Sequence, residues 1–172
     1  MILTNDWRSM ARTPVLLMVC VLLAVSCSTP GSGDDPARLP FSLAVQDLDD
    51  QEYDLGARHL DQGETIALFF FSPSSPTSEA LAGDLRTSVE PFRDRVRILG
   101  ITPGPSNAIS ADRIRKAASD WKLDVPLLRD SDLALVNNLY LAGIPALVVL
   151  TPDRHLAYRG YRPPSNWDTV LD

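Results

Sequence analysis

Residues 66–80 read I-A-L-F-F-F-S-P-S-S-P-T-S-E-A. The first six are apolar without alternation, and the run is too short for a buried helix. It has the pattern of a strand covered on both faces, as in the middle of an α/β sheet. S-P-S-S-P then turns the chain. A helix is expected from Pro76 or Thr77, because proline is tolerated in a first turn, where its missing N–H costs nothing. Ser74 and Ser75 are the candidate N-caps, and Glu79 places an anion near the positive end of the helix dipole. Leu81, Leu85 and Val89 continue with helical spacing, and Pro91 disturbs the end.

Working outward, F-S-L-A-V (41–45) alternates as a strand should, Q-D-L-D-D-Q turns, and E-Y-D-L returns, giving an N-terminal β-hairpin. Residues 56–64 are expected to be loop. Downstream, V-R-I-L-G-I-T (96–102) reads as a strand. A second helix is expected from about Ser110 to Trp121, with Ile114, Ala117, Ala118 and Trp121 on its apolar face. V-P-L-L-R-D (125–130) is a short extended piece, and 132–140 a short helix. G-I-P-A-L-V-V-L-T (143–151) is a strand preceded by proline, and 156–162 its hairpin partner. Ser165 is the expected cap of a final helical fragment. The order predicts an α/β fold: a mixed central sheet with flanking helices.

The first residues differ from the rest. Arg8 and Arg12 precede an apolar run, Val15 to Val25, that is too short to span a bilayer core of ~30 Å but has the length of a signal-peptide core. It ends L-L-A-V-S-C, which resembles the lipobox of bacterial lipoproteins, with Cys27 the lipidated residue. A plain secretory signal and an uncleaved anchor are the alternatives, and Met10 is an alternative start. The expected organisation is a signal peptide over 1–26, a flexible Gly/Ser/Pro/Asp tether over 27–38, and one domain over 39–172. Localisation would be the cell envelope, held to the membrane by lipid on Cys27. The chain has two cysteines, Cys20 and Cys27, so a chain cleaved before Cys27 keeps no free thiol. Net charge is −6, which disfavours nucleic acid as a partner. Along the sequence the basic residues are scattered, and no clustering on one face is expected.

Two segments, F-F-F-S-P-S-S-P-T-S-E-A (69–80) and Y-L-A-G-I-P-A-L-V-V-L-T-P-D-R (140–154), together resemble the thioredoxin superfamily, specifically its redoxin branch. That branch includes alkyl hydroperoxide reductase/thiol-specific antioxidant proteins and the membrane-tethered thioredoxins of cytochrome maturation. The likeness runs from about residue 39 to 164. It implies a thioredoxin-like fold and a cis-proline at Pro145. An X–Pro bond in a folded protein is cis in only about 5% of cases, so composition alone would not suggest it.

The departure from the family matters more than the match. Active members open the first helix with Cys-x-x-Cys, where the helix start favours a thiolate. One register places Ser75-Pro76-Thr77-Ser78 on that motif, and another Ser74-Ser75-Pro76-Thr77. The peroxiredoxin pattern aligns Pro73 and Thr77, leaving Ala80 at the cysteine position. No register supplies a thiol, and serine forms no disulfide. A serine nucleophile would need a base, and the only histidines are His59 and His155; both are read as exposed or loop-packing. Glu79 is read as a helix-dipole residue. Asp47, Asp49 and Asp50 lack the spacing of a calcium loop and are read as a solvated turn. Trp121 and Trp167 are candidate groove residues, with helix packing the default for Trp121. No cofactor and no metal site are expected.

Three functions remain open at this stage. The first is a redox-inactive module holding a protein or peptide in a groove beside Ile144 and Pro145. The second is a redoxin-type oxidoreductase or peroxidase-related protein working with a partner's cysteines. The third is a structural envelope lipoprotein. The first is preferred, which makes the chain a binding protein rather than an enzyme.

Overall fold

In a computed structural model, which describes Leu39 and residues 42–172, the chain forms seven strands and five helices among the described residues. They are β1 (Ala44–Asp47), β2 (Glu52–Asp54), α1 (Leu55–Arg58), β3 (Thr65–Phe70), α2 (Pro76–Val89), β4 (Val96–Pro103), α3 (Ala111–Asp120), β5 (Leu127–Asp130), α4 (Ala134–Asn138), β6 (Ala146–Leu150), β7 (Leu156–Gly160) and α5 (Asp168–Leu171). The expected signal peptide, Cys20, Cys27, the tether and Phe41 lie outside the described residues. Among the described residues no helix is long and apolar enough to cross a membrane.

The sheet order is β2-β1-β5-β4-β3-β6-β7. β3 is flanked by β4, parallel, and by β6, antiparallel, and Ile66 to Phe71 are all fully buried. Alternate side chains enter opposite cores, as the strand period of two requires. Ile66, Leu68 and Phe70 pack with Leu55, Leu60, Leu135 and Leu139 under α1 and α4. Ala67, Phe69 and Phe71 pack with Leu81, Leu85, Ile114 and Trp167 under α2, α3 and the C-terminus. The expected mixed sheet with flanking helices is therefore present.

Four local expectations change. Gln46 and Asp47 belong to β1, where they pair with Arg129 and Leu128 of β5, instead of opening the turn, and Ser42 and Leu43 precede the strand. Leu55 does not extend β2; it opens α1, because the Asp54 carboxylate accepts the Ala57 N–H at 3.1 Å and Leu55 is drawn into the core. The segment 56–64 is not simple loop. It holds α1 and a 3-10 turn at Leu60–Gln62, closed by Gly63 in the left-handed region at φ 83°. At the C-terminus, Trp167 rather than Ser165 holds the cap position of the final helix, without a side-chain cap bond, and the preceding Asn166 accepts the Asp168 N–H through Oδ1 at 3.0 Å.

Folding also gathers charge that the sequence scatters. Arg86, Arg93 and Arg97 from the stretch joining α2 to β4, and Lys122 from the α3–β5 connection, line one pocket of about 250 Å³. The expectation of no basic clustering is thus overturned. The α3–β5 connection is distant in sequence from the end of α2 and the start of β4, and folding brings it beside them.

Asp130, at the end of β5, is buried, and burial pushes its carboxyl pKa up. Its two oxygens accept the N–H groups of Leu135 at 3.1 Å and Val136 at 2.9 Å. These are first-turn donors of α4 that have no partner within the helix. Asp130→Ala strands both donors in the interior, so equilibrium urea unfolding should show a loss of about 1–3 kcal/mol with an unchanged m-value. A loss below about 0.5 kcal/mol would exclude this role, since that is the ordinary range for featureless positions.

Candidate functional site

The register Phe70↔Ala146 brings the start of β6 beside the end of β3. The turn after β3 and the loop before β6 therefore meet at one pole of the sheet. Ser75 is the N-cap of α2 in extended conformation, Pro76 its first residue, and Ser78 lies one turn in, fully buried. Of the two candidate caps, Ser75 is used and Ser74 is exposed in the preceding turn. The Ile144–Pro145 peptide is cis.

The hydroxyls at this turn are engaged in holding it. Ser75 Oγ accepts the Ser78 N–H at 3.3 Å and lies 2.7 Å from Thr77 Oγ1. Ser78 Oγ accepts the Ser72 N–H at 3.1 Å. The Ser75 N–H returns to the Ser72 carbonyl at 3.1 Å, closing a turn with Pro73 at its second position. A helix start stabilises an anion, but a serine hydroxyl stays neutral there, so the geometry serves capping and not nucleophilic chemistry.

Neither histidine is placed to change that. His59 precedes β3, and His155 follows β6, which runs antiparallel to β3, so both lie at the opposite pole. Six strand residues separate the poles, about 20 Å. A Ser/His pair is therefore not assembled.

An open cleft of about 830 Å³ runs along this pole. One wall is α2, through Thr77, Ala80, Leu81 and Asp84; the other is the Ala142–Pro145 loop, with Tyr161 and Arg162 closing the end. Ala80 is exposed on that wall. Tyr161 and Tyr140 are large exposed aromatics, 58% and 83% accessible. The structure thus brings Thr77, Ala80, Ile144 and Pro145 to one cleft. It turns Ser78 inward, away from it. Tyr161 and Arg162 escaped the sequence reading because they follow β7, and only the β6–β7 pairing returns them to this loop. Arg129 and Thr102, also buried at this pole, escaped it as well; Arg129 Nη1 donates to the Gly104 carbonyl at 3.4 Å.

The other candidates are structural. Asp47 Oδ1 accepts the N–H groups of Asp49 and Gln51 in the β1–β2 turn. Trp121 packs edge-on to Phe71, and Trp167 is buried in the core under α2. Glu79 is exposed in the first turn of α2. His59 is nearly buried, with Nδ1 2.6 Å from Glu64 Oε2 and Nε2 2.8 Å from Tyr53 Oη. Arg58 lies 4.5 Å over the Tyr53 ring. This chain was not legible in the sequence, because Gly63 reverses the backbone to bring Glu64 back to His59. Among the described residues no group of acidic, His or Cys side chains is arranged to hold a metal.

Comparison with solved structures gives the class of fold: it is thioredoxin-like. A secreted Mycobacterium tuberculosis disulfide oxidoreductase homologous to E. coli DsbE superposes with TM-score 0.56 at 20% identity, covering 78% of this chain and 93% of that one. A thioredoxin-like protein from Aeropyrum pernix gives TM-score 0.61 at 18% identity, with coverage of 76% and 88%. StoA from Bacillus subtilis gives 0.56 at 14%, with coverage of 76% and 95%. No protein-family model and no curated protein matches the sequence.

The hydrogen bond from His59, followed by weaker attraction to His59 and Arg97, holds the Glu64 carboxyl below its ordinary 4.5. Its folded pKa is therefore lower than its unfolded one. The stabilisation is complete above about pH 4.5 and is lost as pH falls through the folded value. Glu64→Gln should flatten the acid limb of the stability–pH profile below that point. An unchanged slope would remove this pair from the acid response.

Proposed function

We propose that the chain is a membrane-tethered, redox-inactive thioredoxin-like module that holds an extended peptide in the cleft between α2 and the Ile144–Pro145 loop. The observation that carries this reading is the pairing of a formed, open cleft with a turn whose cysteine positions are serines already consumed in capping. Thiol–disulfide exchange needs a thiolate and a second sulfur, and the domain 39–172 contains no cysteine. Peptide binding needs neither. Backbone next to Ile144 can pair with an extended chain, and Tyr161 and Leu81 offer apolar contact for its side chains. The tether reading rests on the Cys27 lipobox. The second reading, activity through a partner's cysteines, is favoured by the names of the neighbouring structures, which include disulfide oxidoreductases and a thioredoxin-like protein. A purely structural envelope lipoprotein would leave the cleft without an occupant.

Two measurements separate these readings. The mature protein should show only background insulin reduction and peroxide consumption, whereas Ser75→Cys/Ser78→Cys should turn over insulin. Turnover by the natural protein would refute the inactive reading, and silence of the double variant would refute the register. For binding, reduced and carboxymethylated α-lactalbumin supplies an extended, thiol-free polypeptide. It should shift amide resonances of 77–84 and 142–146. Ala80→Trp, filling the cleft from an exposed position, should weaken that binding at least about tenfold, the equivalent of ~1.4 kcal/mol. Equal binding by both proteins would reject the cleft.

A further inference from the structure

At the pole opposite the cleft the sheet is notched. β4 begins at Val96, but its neighbour β5 begins only opposite Gly100. Pro126 ends that ladder. Its carbonyl accepts the Gly100 N–H at 2.9 Å, but its ring nitrogen carries no hydrogen to continue the pairing toward Ile98. The notch is the basic pocket of about 250 Å³. Its floor is apolar, with Val89, Val96 and Leu123 buried beneath it and Ile98 and Val125 half-buried.

The cations around it are exposed and under-neutralised. Arg93 is tied through Nε to Glu90 at 2.5 Å, which leaves its two Nη groups. Arg97 is in the lining, but its guanidinium reaches Glu64 at 3.7 Å, on the other face of β4. Among the described residues, Arg86 and Lys122 have no carboxylate partner. Asp124 is the one carboxylate in the lining. The end of α2 accounts for part of the preference for a cation at Arg86. Lys122 lies beyond the end of α3, in the left-handed region at φ 55°, and stands on the opposite wall. Two free cations facing each other over an apolar floor, in a chain of net charge −6, suit an anion carried on an apolar stem.

The chain enters the domain at this same pole. The Leu39 N–H donates to the Arg154 carbonyl at 3.0 Å, in the turn after β6. The pairings Leu150↔Ile66 and Thr65↔Val96 put that turn and the start of β4 at one end of the sheet, two strands apart, or about 10 Å. Residues 27–38 span at most about 40 Å.

We propose that the notch receives the headgroup of an anionic phospholipid of the membrane to which Cys27 anchors the chain. The phosphate sits at the rim between Arg86, Arg93 and Lys122, the headgroup carbons reach the half-buried Ile98 and Val125, and the acyl chains stay in the bilayer. The proposal rests on the lipoprotein reading, and it makes the lipid a second, electrostatic contact that fixes which pole faces the bilayer.

The test uses the full chain, matured in cells and reconstituted into vesicles of phosphatidylcholine alone or of an equimolar mixture with phosphatidylglycerol. Flotation with the phosphatidylcholine vesicles reads the anchor by itself. Hydrogen exchange reads the pocket. Amides of 86–98 and 121–126 should exchange more slowly in the mixed vesicles, by about fivefold for each engaged cation, since a basic side chain near an anionic surface contributes ~1 kcal/mol. Arg86→Glu/Lys122→Glu should abolish the difference while leaving flotation intact, and raised salt should shrink it. Identical exchange in the two vesicle types overturns the proposal. If the chain fails to float, the anchor reading fails. Monomeric dihexanoylphosphatidylglycerol then decides the pocket: protection of the same amides keeps the anion site but overturns the membrane as its source, and no protection overturns both.

Discussion

Everything in this domain hangs on β3 being buried on both faces. A strand with five fully covered apolar side chains, followed at once by a sixth in Phe71, needs a strand on each side and a helical layer above and below. That demand explains the parallel neighbour β4, reached through α2, and the antiparallel neighbour β6, reached through the chain's second half. Each fully buried aliphatic or aromatic side chain contributes about 1.5–3 kcal/mol relative to exposure, so the register of β3 is strongly fixed. A slip of one residue would exchange Ile66, Leu68 and Phe70 with Ala67, Phe69 and Phe71 and misfit both cores. The same register fixes the candidate site, since it sets the end of β3 against the start of β6.

The poles then carry different chemistry. At the end where β3 finishes, a capped turn and a proline loop make an open cleft with little charge and two exposed tyrosines. At the end where β3 begins, a proline stops the β4–β5 ladder and cations rim the gap. The thioredoxin-like framework is common to both ends, and only the side chains differ. The fold therefore constrains where sites can form and leaves their chemistry to the residues placed there.

The central strand, the start of α2 and the Ser110 cap of α3 were legible in the sequence because each rests on a local signal: an unbroken apolar run, or a hydroxyl one residue before a helix. The motif turn was legible for the same reason. Less legible were features made by return of the chain. α1 has four residues and no periodicity of its own; it exists because Asp54 caps it and Leu55 and Leu60 are buried. The Tyr53–His59–Glu64 chain depends on the reversal at Gly63. Arg86, Arg93 and Lys122 line one pocket only because the α3–β5 connection packs beside the end of α2 and the start of β4, so a scan for runs of like charge could not find them. Asp130 reads as part of a strand, and its service to α4 becomes visible only when that helix is docked.

The turn at the start of α2 is tied by hydroxyl–amide bonds at Ser72, Ser75 and Ser78. Such ties have no oxidised and reduced forms. A pair of cysteines in their place would give the cleft two states, interconverted by whatever dithiol or disulfide the compartment supplies. With serines, the turn carries no thiol–disulfide couple of its own. The domain has no disulfide to form or reshuffle, and residues 39–172 offer no thiol for a mixed disulfide or for oxidation to a sulfenic acid.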